Sequence, residues 1–148
     1  MLELVPRPSR RTVRMTHVKL VGVVLVSHSK KLAEGLVELV RELGGDQVPI
    51  IAAGGMDDGS LGTSYGRIEE AVQEADQGAG VLLLGDLGSS LLTIKTLLGE
   101  GVGEQARAVL ADAPFVEGAV AAVVTASAGG DLEAVRAAAE EARLFRKL

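Results

Sequence analysis

The sequence predicts an α/β fold, an open and mainly parallel four-stranded sheet with helices on both faces. Two observations carry this. Apolar runs such as Val21-Gly22-Val23-Val24-Leu25-Val26 and Val81-Leu82-Leu83-Leu84 lack the polar alternation of a half-exposed strand, which suits parallel strands covered on both sides. Segments with apolar residues at helical spacing lie between those runs, and a strict alternation of strand and helix gives right-handed crossovers and a parallel sheet.

The elements follow in order. Residues 1–17 carry Arg7, Arg10, Arg11 and Arg14 with Pro6 and Pro8 but no apolar centre, so they read as a disordered basic tail rather than a signal peptide. His17 falls within it, and Met15 is an alternative start. The domain proper is expected over 18–148. Its first strand ends in Ser27-His28-Ser29, where Ser29 is placed to cap a helix whose apolar face is read as Leu32, Leu36, Val40 and Leu43. Gly44 and Gly45 close that helix, and 48–53 forms the second strand. A glycine-rich loop at 54–63 is a lid or site wall. Ile68, Ala71, Val72 and Ala75 mark the next helix, 81–84 the third strand, and Leu91, Leu92, Lys95 and Leu98 a helix after it. The fourth strand is expected at 106–111. The apolar helix at 116–128 is expected to be buried in the monomer, and Asp131 caps a last helix reaching Arg143.

Composition narrows the function. Hydrophobic residues make up 47% of 148 positions and aromatics 2%, so the core is aliphatic and stacking platforms for single-stranded nucleic acid are hard to build. A net charge of -5 also argues against a phosphate-backbone partner. The sequence has no cysteine, which removes disulfides, thiolate zinc sites and thiol catalysis together. No apolar run approaches the roughly 20 residues that span a bilayer, and the acidic chain reads as cytoplasmic.

For four such strands the expected order is 2-1-3-4. The first and third are then neighbours about 5 Å apart, flanking the switch point where ligands bind in open α/β sheets. His28 and Asp86, each at a strand end, face one another there. A histidine so placed serves as nucleophile, base or metal ligand, or merely satisfies its own turn. A carboxylate on one ring nitrogen leaves the other free to attack, and the helix start at Gly88, Ser89 and Ser90 offers N–H groups and hydroxyls to an anion. Together these point to phosphoryl transfer through phosphohistidine. Gly101-Val102-Gly103-Glu104-Gln105-Ala106 matches a dinucleotide fingerprint, but it follows a helix and enters a strand, the reverse of the required context. Asp57-Asp58-Gly59 reads as a turn rather than a cation site.

Four stretches carry a family resemblance: Val26-Ser27-His28-Ser29, the loop from Ala52 to Thr63, Asp86-Leu87-Gly88-Ser89, and Ala113-Pro114-Phe115-Val116-Glu117-Gly118. Over 19–142 the chain resembles the mannose-type IIA domains of the bacterial phosphotransferase system, and within them the phosphotransfer subunits of phosphoenolpyruvate-dependent dihydroxyacetone kinase. The resemblance implies a homodimer without membrane insertion, in which His28 takes a phosphoryl group from the phosphocarrier HPr and Asp86 orients it. It implies phosphate contacts from Gly88, Ser89, Ser27, Ser29 and Thr63, onward delivery to ADP on the nucleotide-binding kinase subunit, and no cofactor or metal. Some family members continue into further domains and this chain ends at Leu148, so the phosphoryl group is expected from separate proteins. Sugar-specific relatives carry Trp-Gly-Gly-Ser where this chain has Leu87-Gly88-Ser89-Ser90. A sugar-specific IIA component and a non-catalytic anion-binding module of the same fold are the alternatives.

Overall fold

The computed structural model describes residues 18–148; the expectations for the basic tail, His17 and Met15 lie outside the described residues. Strand β1 (Gly22–Ser27) is wholly buried, as its unbroken run of Val and Leu requires. Helix α1 (Lys30–Gly44), β2 (Ile50–Gly54), α2 (Tyr65–Ala75), β3 (Val81–Gly85), α3 (Gly88–Gly99), β4 (Ala108–Leu110), α4 (Phe115–Ser127) and α5 (Leu132–Glu141) follow in strict alternation until the two final helices. All pairings are parallel and the strand order is β2-β1-β3-β4, as the alternation predicts. Val26 lies opposite Ala53 on one side and Gly85 on the other, so β1, β2 and β3 end at one level and their outgoing loops meet.

The pleat of β1 sorts its side chains between two cores. Val23 and Leu25 point with Leu82 and Leu84 toward Leu36, Val37 and Val40 of α1 and Ala119, Ala122 and Val123 of α4. Val24 and Val26 point with Val81 and Leu83 toward Ile68 and Val72 of α2 and Ile94 and Leu97 of α3. Leu25, Leu82, Leu83 and Leu84 are fully buried, and each such side chain contributes about 1.5–3 kcal/mol. Among the described residues no helix is long and apolar enough to cross a membrane.

Four elements depart from their sequence reading. The buried stripe of α1 is Ala33, Leu36, Val37, Val40 and Gly44, while Leu32 and Leu43 are 46% and 58% exposed. The helix is rotated because its small residues make the closest approaches: a Cβ on Gly44 would meet Val123 Cγ1 at 2.2 Å. In α3, Ser90, Ile94 and Leu97 face inward and Leu92 outward. Strand β4 is shorter than 106–111, because turns run through Arg107, which has a φ of 53°. Helix α4 buries one face only, and Val116 and Val124 remain exposed. The glycine-rich fingerprint at 101–106 lies in the turns between α3 and β4, the wrong context for a dinucleotide.

Gly22 shows how tightly the layers meet. A Cβ there would sit 2.2 Å from the Ala75 carbonyl oxygen and 2.8 Å from Ala75 Cβ, so the end of α2 must retreat to admit one. Gly22→Ala is expected to destabilise the protein by about 1–3 kcal/mol, read as a lower denaturation midpoint at unchanged slope.

Candidate functional site

The site lies where β1 and β3 leave the sheet. β1 ends at Ser27 and α1 begins at Lys30, leaving His28 in a turn closed by the Ser29 side chain, which accepts from Leu32 N. Gly54 lets that turn lie against β2, since a Cβ there would meet the Ser29 carbonyl oxygen at 2.7 Å. From the far side, Gly62 N donates to His28 O at 2.9 Å, so the loop after β2 walls the site as expected.

Asp86 is the hub. Its Oδ1 is 3.0 Å from His28 Nδ1 and accepts from Leu87 N at 2.7 Å and Ser90 Oγ at 3.0 Å. Its Oδ2 accepts from Ser27 Oγ at 2.9 Å and from the backbone N of His28 at 3.0 Å. Its side chain is 8% exposed, against 27% for that of His28. Burial works against the charge, but the backbone N–H of His28, the Ser27 hydroxyl, the His28 ring and the Ser90 hydroxyl outweigh it and hold the Asp86 carboxyl below its ordinary 3.8.

That charge fixes the tautomer. An ionised carboxylate only accepts hydrogen bonds, so Nδ1 of the neutral imidazole carries the proton and Nε2 the lone pair. Ser89 Oγ stands 2.8 Å from Nε2 and is its donor. The arrangement is a nucleophilic nitrogen on the open side of a ring whose other nitrogen is anchored.

Because the folded pKa of Asp86 is depressed, its stabilising contribution is complete above the unfolded value near 3.8 and is lost as pH falls through the lower folded value. The gap in unfolding free energy between wild type and Asp86→Asn is therefore expected to be constant near neutrality and to narrow below 3.8, as denaturant titrations at stepped pH will show.

The other expected residues fall as follows. Gly88 and Ser89 open α3 and are exposed, where the first N–H groups of a helix lack intrahelical partners. The Ser27 side chain is fully buried; it gives its proton to Asp86 and accepts from Ser29 N. Thr63 forms a bridge with Gly55, and its hydroxyl lies 3.4 Å from that of Thr93 on α3, tying the loop to the helix. Asp57 and Asp58 serve the loop itself, Asp57 through Ser64 and Arg67 and Asp58 through Ser60. Among the described residues no group of three or more metal-ligating side chains occurs. The sequence reading took Ser90 only as part of a helix start; its hydroxyl is fully buried against Asp86. The available signal was a serine four residues after the acid, next to a Gly85 whose Cβ would sit 2.6 Å from that hydroxyl.

Residues 22–136 match the EIIA-man family model, described as the fructose IIA component of the phosphotransferase system. The chain belongs to the EIIA-man family. Similar proteins include the phosphoryl donor subunit of phosphoenolpyruvate-dependent dihydroxyacetone kinase 2 from Listeria innocua, 37% identical over 78% of this chain and 94% of that protein. The corresponding subunit from Escherichia coli is 40% identical over 78% of this chain but only 25% of its own length, so the chain spans about a quarter of that relative. A crystal structure of a protein of unknown function superposes with a TM-score of 0.73 at 34% identity, covering 82% of this chain and 94% of the other. The EIIA-man match runs from β1 through the first half of α5, and so contains His28, Asp86, Ser89 and the loop between β2 and α2.

Proposed function

We propose that this chain is a cytoplasmic, homodimeric phosphohistidine carrier of a phosphoenolpyruvate-dependent dihydroxyacetone kinase. His28 takes a phosphoryl group from phosphorylated HPr and passes it to ADP held on the nucleotide-binding kinase subunit. The observation that carries this reading is the pair of contacts on one imidazole, Nδ1 on Asp86 at 3.0 Å and Nε2 on Ser89 at 2.8 Å. The names of the relatives, phosphoryl donor subunits of such kinases, support the choice of pathway.

In the transfer step the Nε2 lone pair attacks phosphorus in line, and the donor's nitrogen–phosphorus bond breaks with its electron pair returning to the donor ring. His28 keeps its proton on Nδ1, and the positive charge that develops on the ring is balanced by Asp86. The Ser89 hydroxyl turns from Nε2 to a phosphoryl oxygen, joined by the amides at the start of α3 beside Gly88. Ser27 acts through Asp86, while Ser29 and Thr63 hold the turn and the loop at the rim. Such a transfer needs positioning and charge balance, without cofactor or metal.

The test is the intact mass of the protein after incubation with phosphoenolpyruvate, enzyme I and HPr. An acid-labile phosphoryl adduct that is discharged by the kinase subunit with ADP is expected. No adduct, with the donor proteins shown to be active, would overturn the carrier reading. An adduct discharged by a sugar permease and not by the kinase subunit would move the protein to the sugar-specific branch.

A further inference from the structure

His28 stands between two segments that come from different strands. The loop after β2 reaches it through Gly62 N, which donates to His28 O at 2.9 Å, and α3 reaches it through Ser89 Oγ, 2.8 Å from Nε2. The first turn of α3 is weakly held by its own sequence. Glycine and serine are weak helix formers, and the N-cap is Leu87, a side chain with no oxygen to offer the first amides. Asp86 holds Ser90 directly, whereas Ser89 is exposed.

Thr93 meets both segments. Its hydroxyl donates to the Ser89 carbonyl oxygen at 3.1 Å and lies 3.4 Å from the Thr63 hydroxyl. A hydroxyl has one proton to give, so with that of Thr93 on Ser89, the proton between the two threonines comes from Thr63. The chain of contacts runs from Thr63 to Thr93 to the backbone of Ser89. Because Gly62 precedes Thr63, it closes a ring around the nucleophile, from the His28 carbonyl through the loop, Thr93 and Ser89 back to Nε2.

A bond to the carbonyl four residues back is one that any helical threonine can make. Thr96 makes it too, to Leu92 O at 3.0 Å, but Thr96 is exposed and among the described residues its hydroxyl has that one partner. Thr93 is half-buried and adds the contact that crosses to the loop.

We propose that Thr93 is a positioning residue for the transfer. Its hydroxyl ties the loop to the first turn of α3, and so fixes where Ser89 Oγ meets Nε2 and then, as transfer begins, a phosphoryl oxygen. Thr93 acts through Ser89 and not on the imidazole. This inference rests on the carrier reading and adds the residue that sets the geometry of its hydroxyl donor.

The experiment uses Thr93→Val, which keeps the branched shape without the hydroxyl, Thr93→Ser, which keeps the hydroxyl, and Thr96→Val as the control for the local bond. Single-turnover phosphorylation of His28 is followed from phosphorylated HPr and from phosphoramidate, a donor too small to need a docking face. Thr93→Val is expected to be slower by about threefold to tenfold with both donors, the scale of one hydrogen bond lost from a positioning chain. Its Nε2 nitrogen resonance is expected to move toward that of an unbonded lone pair while Nδ1 stays protonated. Thr93→Ser is expected to restore both rate and resonance, and Thr96→Val to match wild type. A wild-type rate in Thr93→Val, a slower rate with an unmoved Nε2 resonance, or an equal loss in Thr96→Val would each overturn the role of Thr93. Failure of both donors to label wild-type His28 would instead overturn the carrier reading, and the Nε2 resonance, which needs no phosphoryl group, would still decide whether Thr93 holds Ser89 in place.

Discussion

His28→Ala is expected to take up no phosphoryl group while remaining folded, and the structure says why the two separate. The imidazole supplies only one of five donors to Asp86. The Ser27 hydroxyl, the Ser90 hydroxyl, the Leu87 amide and the amide of residue 28 itself remain after the substitution. The carboxylate therefore stays satisfied, and the large cost of an orphaned buried charge does not arise. The removed ring is 27% exposed and leaves no closed cavity, so the expected change in stability is within about 1 kcal/mol. What disappears is the nucleophile. Ser89 and Ser29 carry hydroxyls nearby, but neither has a general base once the histidine is gone. Intact mass after the relay reaction, with a thermal melt of the same sample, checks both halves. An adduct on His28→Ala would remove the assignment.

Much of this was legible before the fold was known. The unbroken apolar runs of β1 and β3 announce strands covered on both faces, and the expected order 2-1-3-4 brings His28 and Asp86 together across neighbouring strands. Less legible was what depends on close approach. The rotation of α1 is set by Ala33 and Gly44, where small size matters more than hydrophobicity, so a stripe drawn through leucines picks the wrong edge. Ser27 and Ser90 look like surface serines at strand and helix ends, and only packing shows both buried against one carboxylate. The tautomer was likewise hidden, because it depends on which ring nitrogen meets Asp86.

Asp86→Asn is expected to slow phosphoryl uptake from HPr by about a hundred-fold to ten-thousand-fold, the range set by loss of a charge and of a tautomer lock in a histidine–carboxylate pair. Only acceptors suit this position. With the amide nitrogen in place of Oδ1 it faces the Leu87 N–H, and in place of Oδ2 it faces the N–H of residue 28. Neither backbone donor can turn away. With nitrogen at Oδ2 the part-buried N–H of residue 28 is left unpaired, which costs about 1–3 kcal/mol, whereas with nitrogen at Oδ1 the Leu87 N–H keeps Ser90 Oγ at 3.3 Å as an acceptor, so the loss of stability depends on the orientation. The chemistry distinguishes the two orientations. With nitrogen at the Oδ1 position the new N–H donates to His28 Nδ1, which drives the ring proton to Nε2 and removes the attacking lone pair. With nitrogen at Oδ2 the tautomer survives, but the charge that balances the phosphorylated ring is gone. Single-turnover rates from phosphorylated HPr measure the loss, and nitrogen chemical shifts of the His28 ring report which nitrogen is protonated. A proton moved to Nε2 accounts for the larger end of the range. A proton retained on Nδ1 with a smaller loss isolates the electrostatic share. Wild-type kinetics in Asp86→Asn would remove Asp86 from the mechanism.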